Sequence, residues 1–359
     1  MNLWAVLLSA VIISGLMSYV LIPTAWKLGL LDKPCERKQH AGQIPLVGGI
    51  AVFITTTAIF LWCFPLTSDL RLFIVASALM VFIGVLDDKF DLSVKLRIVA
   101  QLLVSSIIVF GADTYINTLG NLFGFGAIEL GSWGMPFTLL AIMAAMNAYN
   151  MIDGIDGLLG MLGGVAFTGI AVLSALHGQE FPLAASIVII GALIPFLSRN
   201  IGLPFKRIRK IFMGDAGSMF IGLGIVWLLA LLTNPNHIAD SGEPVRPVAV
   251  LWLIAVPLMD MLAIMVRRVV KGQSPFKPDR EHLHHIFMRA GCSQRQALVV
   301  ITLKAVILAA LGLLLEVFVV PEVIVLALYV VIFLTYCLFL KNAWRIVSWV
   351  REWRGIETT

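Results

Sequence analysis

Charge is scarce in this 359-residue sequence: Asp, Glu, Lys and Arg make up 13% of it, where a soluble globular chain carries about 25%. Cysteine is scarce as well. Cys35, Cys63, Cys292 and Cys337 are scattered with no CxxC pair, so nothing indicates a disulfide framework, a cysteine zinc site or redox work. No polar stretch is long enough for a separate soluble domain, no internal repeat is apparent, and there is neither a Walker A loop nor a kinase glycine-rich loop. These absences exclude an ordinary soluble enzyme, a disordered chain, a coiled coil, a P-loop enzyme and a kinase.

What fills the space is apolar. Hydrophobic residues make up 60% of the chain, and the mean hydropathy is +0.96. Continuous runs of about 20 residues recur along its length, which is the signature of an all-α polytopic membrane protein. A membrane β-barrel would instead show short alternating segments. The runs predict eleven spans, at 3–22, 46–64, 71–86, 97–112, 133–152, 158–176, 183–199, 215–232, 248–266, 297–316 and 322–340. The glycine-rich stretch 113–132 is too broken for a span. The first run lacks a basic leader and a small-x-small cleavage site before Pro23, so it reads as a retained span rather than a signal peptide. The whole chain, 1–359, reads as one transmembrane catalytic unit ending in a basic, tryptophan-bearing interfacial tail at 341–359.

Net charge is +5. In a membrane protein that balance follows from the positive-inside rule and does not argue for nucleic acid. All but three of the 26 Lys and Arg fall in alternate loops or in the tail, the exceptions being Arg71, Arg246 and Lys304. That asymmetry predicts a periplasmic N-terminus and a cytoplasmic C-terminus.

Four polar clusters then fall on the predicted cytoplasmic side. The first is Asp87-Asp88 in LDDKFD, with Lys89, Asp91 and Lys95 close by. Adjacent carboxylates at the end of an apolar span repel and are costly to desolvate, unless a cation or a proton relieves them. The second is NAYNMIDGIDGL, with Asn147, Asn150, Asp153 and Asp156 at steps of three. Each such step drifts by about 60° around a helix, so the four cannot share one face without a break, which Gly154 and Gly157 make available. Their oxygens suit magnesium or a polar ligand. The third is FMGDAGSMF, where Asp215 between glycines reads as a helix cap or as a metal carboxylate. The fourth is the loop 267–296, with Arg280, His282, His284 and His285. It lacks the spacing of a zinc site and suits an anion. Carboxylates for a hard cation beside cations for phosphate are the outfit of phosphoryl transfer from a magnesium-bound nucleotide.

These motifs, in this order from DKPCERKQHAGQIPLVGG to PFKPDREHLHH, resemble the polyprenyl-phosphate N-acetylhexosamine-1-phosphate transferases over essentially the whole chain. The LDKP-x-ERK-x-H start and the PDR-x-H-x-HH loop look most like the WecA (Rfe) type. The MraY type differs, with ten spans and three consecutive histidines where this chain reads HLHH.

The resemblance implies transfer of GlcNAc-1-phosphate from UDP-GlcNAc to undecaprenyl phosphate in the bacterial inner membrane, with release of UMP. That is the step that begins O-antigen or enterobacterial common antigen assembly. It implies a Mg²⁺ requirement with Mn²⁺ as a substitute, and it is compatible with a homodimer. Residue by residue, it makes Asp215 the metal carboxylate with Asn150 as second ligand, and Asp87 and Asp88 essential, Asp87 handling the lipid phosphate. It gives Asn147, Asp153 and Asp156 to the nucleotide site, with Asp156 a candidate uracil contact. Arg280, His282, His284 and His285 would hold the diphosphate or sugar, and Arg37, Lys38 and His40 would lie near the lipid-phosphate entrance. Lys95 matches a family lysine beside the aspartate pair. Another UDP-N-acetylhexosamine is the alternative donor. A transporter is the alternative from another class, resting on Asp260 and Glu316 within spans.

Overall fold

The computed structural model describes residues 2–32, 42–202, 209–235, 242–275, 282–343, 345, 347 and 348. Each of the eleven expected segments is helical. Among the described residues, nine helices are long and apolar enough to cross a membrane. The segment expected at 248–266 is a broken pair, α9 (Pro247–Leu253) and α10 (Ala255–Val270), bent by 84°. Pro257 has no N–H to give the carbonyl of Leu253, so the ladder fails at Ile254. The segment expected at 46–64 is the shorter helix α2 (Gly48–Cys63).

The expected boundaries shift where capping, rather than hydropathy, decides them. The first helix, α1 (Leu3–Leu28), runs through Pro23 and ends at Gly29, whose φ of +68° makes the left-handed stop. α3 (Ser68–Phe90) carries the aspartate pair within its last turn, and α4 (Val94–Ser106) follows a short corner closed by Ser93, which accepts from the Leu96 N–H. The stretch 113–130 folds as a small strand-like loop, in which Leu119 donates to the Ile128 carbonyl and Ile128 to that of Gly120. With the antiparallel pair Leu31–Asp32 and Ile44–Pro45, that loop is a small departure from an all-α chain.

Burial sorts the helices. α8 (Gly214–Thr233) is buried along its whole apolar window, whereas only 22% of the window of α13 (Glu322–Lys341) is covered. α2, α3, α5 (Gly134–Ile152) and α6 (Leu158–Leu176) pack against α8, and α7 (Glu180–Ile201) joins α1 to α6. The helices approach α8 through small residues: Gly49 meets Gly217 and Gly84 meets Ala216 backbone to backbone, with no room for a Cβ. Phe73 stacks on Trp227 at 3.8 Å between ring centroids deeper along the same interface. The outer faces of α1, α12 (Gln294–Val317) and α13 expose Leu, Ile, Val and aromatic side chains, as a lipid-facing surface does. The bundle is therefore a sheath around one central helix, and that helix carries Asp215 in its first turn.

Candidate active site

The aspartate pair divides its work because neighbouring residues on a helix point about 100° apart. Asp88 turns to α8. Its Oδ1 accepts the backbone N–H of Asp215 at 2.9 Å, and its Oδ2 that of Ala216 at 3.5 Å. It thus caps the central helix from another helix, placing negative charge where the orphan amides and the dipole favour it. Gly214 makes this approach feasible. Its φ is +72°, and a Cβ there would overlap the Asp88 carboxylate. Asp215 is consequently not the cap of α8; it stands in the first turn, with its own carboxylate partly exposed and turned to Asn150 and Arg97.

Asp87 turns the other way. Its Oδ1 accepts the Leu92 N–H at 2.8 Å, closing the corner after α3. Its carboxyl lies within hydrogen-bonding contact of that of Asp215. Arg97, one turn into α4, reaches both: its Nη1 is 3.2 Å from Asp87 Oδ2 and 3.8 Å from Asp215 Oδ2. Asn150, in the last turn of α5, donates through Nδ2 to Asp215 Oδ1 at 2.7 Å and to Ser218 Oγ at 3.0 Å, leaving its carbonyl oxygen for another partner. Asn147 does not join this group. It donates to Gln101 Oε1 at 2.8 Å and to the Met143 carbonyl at 2.7 Å, and so ties α5 to α4.

α5 stops at Ile152, as the step-of-three pattern required, and exposed Asp153 follows as its C-cap. Gly157, at φ +81°, starts α6 and donates to Asn200 Oδ1, while Asn200 Nδ2 donates to the Ile211 carbonyl at 2.8 Å. This clamp brings residues 209–213 alongside the 153–157 loop. Asp156 there meets Lys210 at 2.5 Å, so it presents a carboxylate–ammonium pair rather than a bare acid.

The histidines approach from α11 (Leu283–Arg289). Asp260 of α10 anchors them, taking His282 Nδ1 at 2.8 Å, the Leu283 N–H at 3.2 Å and the Tyr336 hydroxyl at 2.5 Å. His284 is 1% exposed, and neither of its ring nitrogens has a hydrogen-bond partner among the described residues. Burial first, then His285 and His282 beside it, push its pKa down to about 3, so the ring is neutral at neutral pH. It packs directly on Gly154, where a Cβ would overlap the imidazole. Gly154 lies two residues beyond the end of α5, in the loop that continues from the turn carrying Asn150. The histidine cluster therefore packs on the loop that leaves the Asn150 turn.

Lys95 is exposed and pairs with no carboxylate among the described residues; Arg97, two positions on, occupies the place expected of it. In the sequence Arg97 reads only as a topogenic charge. The signal that could have found it is its spacing, one helical turn past Ser93, the cap that fixes the corner. Arg37, Lys38, His40 and Arg280 lie outside the described residues, as does most of the 341–359 tail. Asp260 and Glu316, which motivated the transporter reading, are both engaged. Glu316 takes Arg246 Nε at 2.7 Å and lies 3.4 Å from His177 Nε2.

Among the described residues no group of three His, Cys, Asp or Glu forms a ready-made metal cage. The donor set still fits magnesium, which takes one or two carboxylates together with substrate phosphates and water. Asp87 and Asp215 stand in contact, an arrangement that a cation relieves, and Asn150 keeps an amide oxygen beside them.

Residues 70–233, from α3 to the end of α8, match glycosyl transferase family 4. Over its length the chain is 44% identical to an undecaprenyl-phosphate alpha-N-acetylglucosaminyl 1-phosphate transferase of Yersinia pestis, covering 94% of this chain and 91% of the relative. A protein of the same name from Escherichia coli K12 is 42% identical over 98% of this chain and 95% of its own. One from Pasteurella multocida is 42% identical over 92% of both.

Proposed function

Because the chain belongs to the undecaprenyl-phosphate alpha-N-acetylglucosaminyl 1-phosphate transferase family, we propose that it transfers GlcNAc-1-phosphate from UDP-GlcNAc to undecaprenyl phosphate and releases UMP. The site faces the cytoplasm at the bacterial inner membrane, where nucleotide sugars are found and where the basic loops lie. The observation that carries the reading is the convergence of Asp87, Arg97, Asn150 and Asp215 at the start of the central helix, beside buried His284.

In this reaction an oxygen of the acceptor phosphate attacks the β-phosphorus of the donor. The new P–O bond forms as the bond from that phosphorus to the bridging oxygen breaks, and UMP departs with the electron pair. Two anions must meet, so the chain's first task is to offset their charge. Arg97 lies between the two carboxylates, with a guanidinium suited to a phosphate oxygen. Asp87 accepts the proton of a singly protonated acceptor phosphate, or orients that phosphate through a shared hydrogen. Asp88 acts at one remove, holding Asp215 in place through the α8 amides.

Asp215 and Asn150 would hold Mg²⁺, or Mn²⁺ in its stead, and the bound cation would supply charge neutralisation for the diphosphate. His284, with two unsatisfied ring nitrogens, offers contacts to the diphosphate or sugar, and Asp260 fixes the orientation of its neighbour His282. Asp153 and the Asp156–Lys210 pair line the approach on the nucleotide side. The test is UMP release by purified protein given undecaprenyl phosphate and a panel of UDP-sugars. UDP-GlcNAc should support turnover and UDP-GalNAc should not. Turnover with UDP-GalNAc alone would move the donor assignment, and no UMP from any sugar would sink the reaction.

A further inference from the structure

The buried residues of α13 are Val325, Tyr329, Tyr336 and Leu340, a stripe at helical spacing on a helix otherwise turned to lipid. Two of them carry hydroxyls, and the two differ. The Tyr329 hydroxyl is buried with no hydrogen-bond partner among the described residues, its ring set edge-on to Trp252 at 5.4 Å between centroids. The Tyr336 hydroxyl, two turns on, donates to Asp260 Oδ1 at 2.5 Å.

Asp260 is itself 1% exposed, and it serves α11 twice. Its Oδ1 also accepts the Leu283 N–H at 3.2 Å, and its Oδ2 takes His282 Nδ1 at 2.8 Å. The first contact matters because His282 caps α11 without a side-chain hydrogen bond to the helix, and so short a helix is marginal by itself. The second contact fixes a ring. His282 lies parallel to His284 at 5.9 Å between centroids, and His284 lies 4.1 Å from His285. Both contacts depend on the plane of one carboxylate. The last torsion of an aspartate is broad and soft, and the Leu283 N–H is a long tie. The Tyr336 hydroxyl is the short bond that keeps the carboxylate from turning. Lys304 stands beside it, its ammonium 4.1 Å from the centroid of the Tyr336 ring and within electrostatic reach of Asp260.

We propose that Tyr336 is a positioning residue for the transfer reaction: acting through Asp260, it holds the histidines of α11 in place for the donor. The inference rests on the reading of those histidines as contacts to the diphosphate or sugar of UDP-GlcNAc. It gives the outermost part of the bundle a share in donor affinity, although Tyr336 touches no substrate.

The test is steady-state UMP release by the purified full chain, with each substrate varied in turn. Tyr336→Phe removes one hydroxyl and keeps the ring. It should raise KM for UDP-GlcNAc about threefold to tenfold, the scale of one hydrogen bond, and leave KM for undecaprenyl phosphate at the parent value. Tyr329→Phe removes the same atom from the same helix and should change neither. Leu340→Ala opens a cavity one turn from Tyr336 and should lower the melting temperature without raising KM for the donor. Asp260→Asn puts a donor where an acceptor stood. It should raise the same KM at least as far, and adding Tyr336→Phe to it should have no further effect. Parent values for Tyr336→Phe would overturn the proposal. So would an equal rise in both KM values, or the same rise in Leu340→Ala, either of which would make the hydroxyl a part of the packing alone. An additive double variant would overturn the route through Asp260. A parent that released no UMP would instead be a failure of the transferase reading.

Discussion

Asp87 and Asp88 are neighbours in sequence with different physical tasks, and substitution should separate them. Asp88 holds two backbone amides of α8, so Asp88→Ala should cost stability as the loss of a helix cap does, about 1–2 kcal/mol, and lower turnover with it. Asp87→Asn keeps the Leu92 hydrogen bond and should leave thermal stability near the parent while abolishing turnover. Activity alone does not distinguish Asp87 from Asp215, but ligand binding does. Asp215→Asn removes a negative charge from the proposed metal site and should weaken Mg²⁺-dependent binding of UDP-GlcNAc strongly, whereas Asp87→Asn should leave that binding largely intact. Calorimetry with and without Mg²⁺ decides, and the reverse pattern would exchange the two roles. Arg97→Ala should lower turnover about a hundredfold, the scale on which a contact to developing charge acts. Partial recovery in Arg97→Lys would show that charge, rather than the fork of the guanidinium, carries most of the effect.

Between elements, the site depends on two glycines that let chains approach. Gly214→Ala would force a side chain into a left-handed conformation, at about 1–2 kcal/mol, and against the Asp88 carboxylate. A fall in melting temperature together with loss of turnover is expected, and a variant as stable and active as the parent would remove Asp88 from the cap. Gly154→Ala would push His284 from its seat. Because His284 is held neutral, with its pKa lowered from an ordinary 6.5 to about 3, the unfolded chain binds its proton first as pH falls. Its contribution to stability is therefore fully present above about pH 6.5 and is lost progressively as pH falls toward 3. The melting temperature of the parent should decline more steeply between pH 7 and 5 than that of His284→Gln. Parallel curves would mean that the folded ring takes up its proton as readily as the unfolded one.

Across the whole molecule, the site end of the bundle is also its basic end. Reporter fusions after residue 210 and at the tail should read cytoplasmic, and one near residue 240 should read periplasmic. A periplasmic reading for the loop that carries His282, His284 and His285 would place the site on the wrong side of the membrane for a UDP-sugar. The opposite end is closed by Arg246, which binds Glu316 and the carbonyls of Leu315 and Val320. That explains why an arginine is tolerated there against the topogenic trend.

The helical character of each apolar run, the hydrophobic class, the four polar clusters and the break after Ile152 were legible in the sequence. They are consequences of local composition and of helical period, which act over one or two turns. The family was legible for a related reason, since its motifs are short and ordered along the chain. What sequence could not decide was which side chain faces which. Asp88 became a cap, Asn147 turned to Gln101, and Arg97 rather than Lys95 came to stand between the carboxylates. Each depends on the angle at which α3, α4 and α5 cross α8. Those angles follow from backbone contacts such as Gly49 on Gly217 and Gly84 on Ala216, between residues far apart in the chain. The same holds for Asp260, whose three donors come from α11, from the residue that precedes it and from α13. Hydropathy places a residue at a depth in the membrane, but only packing sets its rotation about the helix axis, and rotation decides which residues meet the substrate.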